Sequence, residues 1–269
     1  MIIEIRKMTA EVRKQILTIS ARARAPHIAS ALSCTDILTA LYFNVATIYP
    51  ENPKHPYRDR IILSKGHAAA ALYSCLALKG FFPRETLDSF AQDGSVFAEH
   101  PSYRVIPGVE CSTGSLGHGL GIGSGIALKL KMDGSTSRVF VVLSDGECNE
   151  GSTWEAALWA PKQQLSNLIG IVDYNKLQAT GPSNEITQLE PLADKWKSYG
   201  WDVVEIDGHN LDDLTRELEQ HSKEKRRMII AHTIKGRGVS FMENDLEWHY
   251  KPLDDNTLPL ALKEIEETQ

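Results

Sequence analysis

Asp145 and Asn175 supply a carboxylate and a carboxamide, and each closely follows an apolar run of strand length, Val139 to Leu143 and Leu168 to Val172. Mg²⁺ prefers hard oxygen ligands and is usually held by one or two protein groups together with phosphate oxygens. An acid and an amide at equivalent ends of two neighbouring strands would therefore bind Mg²⁺ and a diphosphate. Uninterrupted apolar runs suit parallel strands covered on both faces. Between them, Ser152 and Glu155 form an S-x-x-E pattern that predicts a capped helix start, continued by Ala156, Ala157, Leu158 and Ala160. A strand–helix–strand unit leaves both strand ends on one edge of the sheet, where open parallel sheets bind ligands. Asp-Gly alone is also a common turn, and a simple Mg²⁺-dependent hydrolase built on Asp145 stays open at this point.

The elements around this unit extend the alternation. Helix signals cover about Thr9 to Arg24, Thr35 to Tyr42, and Ala68 to Leu78, the last closed by Gly80. Pro50 to Pro56 reads as a surface loop, and Ile61 to Leu63 as a short extended run delivering Ser64-Lys65-Gly66-His67. Beyond the central unit come a helix from Pro191 to Tyr199, a strand from Trp201 to Ile206, a helix from Leu211 to about Lys223, and a strand from Met228 to His232. Strands alternating with helices predict a doubly wound α/β fold with a mainly parallel sheet, and residues 1–269 are expected to form one domain.

Composition narrows the class. The net charge is −6 and 42% of residues are hydrophobic, which fits a globular enzyme and argues against a nucleic-acid footprint. The cationic cluster Lys223 to Arg227 is expected to be the C-terminal turn of a helix. No apolar run approaches the roughly 20 residues of a membrane helix, and the charged N-terminus does not read as a signal peptide, so a cytoplasmic protein with no membrane contact is expected. Cys34, Cys75, Cys111 and Cys148 have no C-x-x-C spacing and are expected to be reduced thiols.

The segment Ser112 to Gly125, STGSLGHGLGIGSG, contains neither G-x-G-x-x-G nor the G-K of a Walker loop. It reads as a loop, Thr113-Gly114-Ser115-Leu116, opening a helix through Leu130. Gly114 and Ser115 would offer main-chain amides to a diphosphate at that helix start. Each of Gly117, Gly119, Gly121, Gly123 and Gly125 would weaken a free helix by about 1 kcal/mol relative to Ala, so these glycines are expected to pack closely, across a subunit interface.

The joint pattern of motifs resembles the transketolase family. Twenty-eight residues, 147 to 174, separate Gly146 from Asn175, as in the thiamine-diphosphate signature G-D-G-x(25–30)-N, and E-G at Glu150-Gly151 and W-E-A at Trp154 to Ala156 match the texture around it. Ser144 stands where the family usually has Gly. R-D-R-I-I-L-S-K-G-H, ending at His67, is similar to the family's R-D-R-F-V-L-S-N-G-H. His27 matches the His of S-G-H-P-G, His100 in A-E-H-P resembles G-H-P, and His249 in E-W-H-Y-K-P-L resembles S-H-G-A-P-L. Ser115 and His118 depart from the family's T-G-P-L-G-Q-G. His55, His209 and His221 lack such context and read as loop, turn and surface residues; His232, at a strand end, stays ambiguous.

The resemblance implies transfer of a two-carbon ketol unit from a ketose to an aldose, with thiamine diphosphate and Mg²⁺, or Ca²⁺ or Mn²⁺ in its place. It implies that Asp145, Asn175 and the Leu177 carbonyl hold the metal. His67, Gly114, Ser115, Leu116, Gly146, Glu147, Asn175, Lys235 and His249 would lie at the cofactor. His27, His100 and His249 would surround the donor sugar's oxygens, where an imidazole can give or take a proton near neutral pH. Glu150 would contact the activating glutamate of a neighbouring domain, although it could also complement a helix dipole.

Full transketolases are more than twice as long, so the resemblance implies an N-terminal subunit working with a separately encoded C-terminal subunit that carries the pyrimidine-binding domain, in an α2β2 assembly. Other readings remain open: 1-deoxyxylulose-5-phosphate synthase, an α-ketoacid dehydrogenase α-subunit, or a non-catalytic cofactor-binding subunit. The sugar, whether a pentose phosphate, a branched sugar phosphate or a sulfonated sugar, is not legible in this chain.

Overall fold

The structure is a computed structural model that describes residues 2–220 and 226–267. Five strands form one parallel sheet: β1 (Arg60–Leu63), β2 (Val139–Ser144), β3 (Leu168–Tyr174), β4 (Asp202–Asp207) and β5 (Arg227–His232), in the order β1-β2-β3-β5-β4. The helices are α1 (Ile2–Ala23), α2 (Ile28–Ser33), α3 (Thr35–Ala40), α4 (Ala69–Lys79), α5 (Gly119–Met132), α6 (Gly151–Lys162), α7 (Ser183–Ile186), α8 (Leu192–Ser198), α9 (Leu211–Glu219) and α10 (Thr257–Glu267).

Side chains alternate across a strand, and β2 uses both faces. Phe140 and Val142 join a core with Ile61, Ile171 and Ile229 that the helices α1 to α4 and α9 cover. Val139, Val141 and Leu143 join a second core with Leu168, Val172 and Ile230 under α5, α6 and α8. Double coverage is what the continuous apolar runs predicted, and every residue of β2 and β3 is buried. Edge strand β4 is mostly half-exposed.

Several local expectations need correction. Helix α6 begins at Gly151 with Glu150 as its extended N-cap and no side-chain cap bond, so the Ser152–Glu155 capping box does not form. Ser152 lies instead against Gly117, where an added Cβ would collide with its hydroxyl. The predicted helix through Lys223 ends at Glu219, since Gln220 is extended; Lys223 lies outside the described residues. Arg227 is not in a helix turn but opens β5, where it pairs with Asp202 and Glu217. Helices α2, α7 and α10 had no sequence reading. Helix α4 ends as expected, with Gly80 at φ 95°.

The glycine-rich segment also divides differently. Gly117 has φ 85° and turns the chain before α5 starts at Gly119. Gly119 and Gly123 face inward, where a Cβ would collide with the Ser64 hydroxyl and meet a Val141 methyl at 2.5 Å, respectively. Their close packing is therefore within the chain. Only Gly121 and Gly125 look outward, with nothing within 4 Å of a Cβ. All four cysteines are free thiols, three of them buried, and among the described residues no helix is long and apolar enough to cross a membrane.

Candidate active site

Parallel register sets the metal end of the site. Ser144 of β2 pairs with Asp173 of β3, so Asp145 and Asn175 leave the sheet at the same edge. Asp145 is buried; one carboxylate oxygen accepts the Gly146 amide at 2.8 Å and the other the Ser183 hydroxyl at 2.8 Å. Burial outweighs these donors and pushes its carboxyl up to about 6, the state of an acid that lacks a close counter-charge. Asn175 accepts the Leu177 amide on Oδ1 and donates from Nδ2 to the Ser33 hydroxyl, both at 3.0 Å. Lys176 between them is left-handed, with φ 68°. Among the described residues no cluster of three or more His, Cys, Asp or Glu is placed to hold a metal. A cation here would have to add amide, main-chain and ligand oxygens to the single Asp145 carboxylate, the donor set of Mg²⁺ bound with phosphate.

Two close main-chain approaches shape the adjoining floor. A Cβ on Gly66 would strike Thr113 and Gly114 main-chain atoms at 2.6 and 2.7 Å, and one on Gly146 would press on Gln178 at 3.1 Å. Gly114 in turn lies beside His100, whose ring carbon would be 3.0 Å from a Cβ. Thr113 Oγ1 and Gln178 Nε2 are buried without a hydrogen-bond partner, a condition that commonly marks a place for a bound polar group. Ser115 is exposed and Leu116 half-buried. Gly114 and Ser115 stand ahead of the Gly117 turn rather than at the first turn of α5. Glu147 points inward: its carboxylate accepts the Ser64 hydroxyl, the Gly117 amide at 2.8 Å and the Ser144 amide at 3.4 Å. It ties the loops after β1 and β2 to the glycine turn. Glu150 is exposed at the rim.

Four imidazoles converge above this floor. The His27 ring centroid is 5.5 Å from His67, 6.3 Å from His100 and 5.1 Å from His249, and His67 and His249 are 6.1 Å apart. His27 has φ 66°, and its amide donates to the His249 carbonyl at 2.9 Å. A non-glycine residue held in that region is costly, and the two loops are clamped together by it. Lys235, fully buried, donates from Nζ to Nδ1 of His249 at 2.7 Å and to the Gln178 carbonyl at 3.4 Å. Burial, with Lys65 nearby, lowers the Lys235 ammonium to about 8. Burial and then Lys235 lower His249 to about 3; burial and then His100 lower His27 to about 4; burial and Lys65 hold His67 well below its usual value. These three rings are neutral at pH 7. Outside this cluster, His55 packs its tilted ring on Tyr49, His232 meets Glu205, and exposed His118 precedes α5. His209 sits in the turn after β4, and its ring links Asp36 to the Ile234 amide; His221 is outside the described residues.

Several residues at the site carried no sequence assignment. Lys65 and Asp173, both fully buried, form an ion pair beneath Asn175, and Ser33 and Thr233 donate to the same carboxylate. Burial is the largest influence and would lower the Lys65 ammonium, but Asp173, Cys34 and Asp145 together turn the net direction upward. Lys65 was visible only as a neighbour of His67 in S-K-G-H and Asp173 only as the residue two before Asn175, whereas Ser33 had no local signal. Tyr250, largely exposed, lays its ring 4.7 Å from His249 and 5.6 Å from His27.

The chain that carries this arrangement is similar to known proteins. Residues 5–265 match the family model described as transketolase, thiamine diphosphate binding domain. An apulose-4-phosphate transketolase subunit of Phocaeicola vulgatus is 41% identical over 95% of this chain and 91% of its own length. A 6-deoxy-6-sulfo-D-fructose transketolase subunit of a Clostridium species is 41% identical over 98% and 97%. Among solved structures, transketolase from Campylobacter jejuni superposes with a TM-score of 0.87 at 27% identity, covering 98% of this chain but 42% of that one. The strand-end acid and amide, the floor of close main-chain contacts and the histidine cluster thus stand in a chain that belongs to the transketolase family, as its thiamine diphosphate-binding part.

Proposed function

We propose that this chain is the N-terminal, diphosphate- and metal-holding subunit of a two-chain transketolase that moves a two-carbon ketol unit from a ketose to an aldose in the cytoplasm. The observation that carries this reading is the meeting of His27, His67, His100 and His249 beside the edge where Asp145 and Asn175 leave the sheet. Residues 1–269 would act as one diphosphate-binding domain. Asp145, Asn175 and the Leu177 carbonyl would hold Mg²⁺. Gly114, Ser115, Leu116, Gly146, His67 and Lys235 would line the diphosphate, and the unpartnered Thr113 Oγ1 and Gln178 Nε2 support a polar ligand there. Glu147 contributes through the loop geometry that it fixes.

When bound, thiamine diphosphate supplies the nucleophilic carbon that lets the bond beside a ketose carbonyl break and re-form. The chain's own residues do the rest. Lys235 occupies Nδ1 of His249, so the neutral ring keeps its proton on Nε2 and offers it to a substrate oxygen. His27 and His100 would receive or return protons on neighbouring hydroxyls. Glu150, exposed at the rim, would meet the activating glutamate of the partner. Relatives of nearly equal length are named as subunits, which supports a separate C-terminal chain and an α2β2 assembly. Those relatives are named for apulose 4-phosphate and for a sulfonated fructose, and a phosphorylated or sulfonated ketose fits the same expectation. Purified alone, the chain should show no ketol transfer; with its C-terminal partner, thiamine diphosphate and Mg²⁺, activity should rise to a plateau at equal stoichiometry. Robust transfer by the isolated chain, or none by the mixture across phosphorylated and sulfonated ketoses, would overturn the reading.

A further inference from the structure

Asn175 can serve a cation only if its amide oxygen, not its nitrogen, faces the metal position, and nothing in an isolated side chain selects between the two. Here the selection is made by hydrogen-bond chemistry. The Asp173 carboxylate has only acceptors, and it lies between the Lys65 ammonium and the hydroxyls of Ser33, at 2.8 and 2.9 Å, and Thr233, at 2.5 Å. Thr233 gives its proton to Asp173, so the single hydroxyl proton of Ser33 goes to Asp173 or to the Thr233 oxygen 3.2 Å away, and either way Ser33 Oγ has only lone pairs to offer Asn175. The atom of Asn175 lying 3.0 Å from that oxygen must be the donor, Nδ2. From the other side the Leu177 amide points at the remaining atom at 3.0 Å, which must be an acceptor, Oδ1. Lys65, Asp173, Ser33 and Thr233 are all buried, the first three with at most a trace of exposed surface, so no water competes for these roles.

We propose that Ser33, locked by the buried Lys65–Asp173 pair, is a positioning residue that sets the Asn175 carboxamide with its oxygen toward the metal. The inference rests on the reading of Asn175 as a metal ligand. Without the hydroxyl, only the Leu177 amide still opposes the flipped orientation that presents NH₂ to the cation. The test titrates Mg²⁺ into the full chain with inorganic diphosphate present, followed by calorimetry. Ser33→Ala should weaken Mg²⁺ about tenfold in a chain that thermal melting shows still folded at the titration temperature, and adding Asn175→Asp, which has an oxygen on both sides, should restore affinity to within about threefold of native. Native-like binding by Ser33→Ala, or a double variant as weak as the single, would sink the proposal. If the native chain shows no Mg²⁺-dependent diphosphate binding, the metal reading itself fails first and takes this inference with it. A second measurement needs no variant: with ¹⁵N-labelled asparagine, the Asn175 carboxamide protons should exchange slowly because one is donated to a buried oxygen, and solvent-rate exchange would contradict the assigned orientation.

Discussion

Lys235 Nζ lies 2.7 Å from Nδ1 of His249, a buried ammonium bonded to a neutral ring. The contact does two things at once: it assigns the ring's tautomer, and it lowers the ring's proton affinity after burial has already done so. Replacing Lys235 by Met removes both effects. The His249 pKa should then rise toward its ordinary value of 6.5, so the acid limb of the kcat/KM profile of the reconstituted enzyme should move to higher pH. A profile that drops in height without moving would show that Lys235 acts only on cofactor affinity.

Asp145→Ala should abolish Mg²⁺-dependent cofactor binding while leaving the fold intact. The carboxylate is buried with only two neutral donors, so its loss removes a desolvated acid and costs little stability. Calorimetry with Mg²⁺ and thiamine diphosphate reads the first effect and thermal melting the second; unchanged affinity would refute the metal assignment.

Single Ala substitutions of His27, His100 and His249 should each lower kcat/KM by about 10²-fold or more, the scale of a lost acid–base or transition-state hydrogen bond. Cofactor affinity should change least for His100, which stands beside Gly114 without a bond to Lys235 or to the loop after β3. Near-native turnover by all three would exclude them from the donor site.

His27 also predicts a stability signature. Its folded pKa is about 4 against 6.5 for the free side chain, so below pH 6.5 the unfolded chain takes up a proton that the folded chain refuses. The stability tied to this group is complete above 6.5 and is lost as pH falls toward 4. In His27→Gln the melting temperature should therefore decline less steeply across that window. Parallel native and variant curves would mean that the ring titrates normally.

Helix α5 offers a contrast within one residue type. Gly123→Ala must displace Val141 and should cost about 1–3 kcal/mol, whereas Gly121→Ala meets nothing and should stabilise the helix by up to about 1 kcal/mol. Denaturant unfolding of the two variants checks the sign; equal effects would contradict the inward and outward assignment.

Much of the sheet was legible because β2 and β3 are buried on both faces, which leaves continuous apolar runs, and the histidines were legible because each sits in a motif. Ser33 was not, since its partner Asp173 is 140 positions away and a lone serine in an apolar segment has no pattern of its own. The capping box misled for a local reason: Glu150 takes the extended cap position, so Ser152 falls one step inside the helix and packs on Gly117. Helix α5 starts later than its composition suggested because Gly117 turns left-handed first. Helix α2 is too short to show a period.

Asp145 and Asn175 sit at the ends of strands buried from end to end, while His100 and Tyr250 reach the same space from loops that are partly open to solvent. Attempts to change which sugar the enzyme accepts should therefore begin with residues 102–112 and Tyr250, because these can be redrawn while residues 113–118 and His249 keep the floor in place.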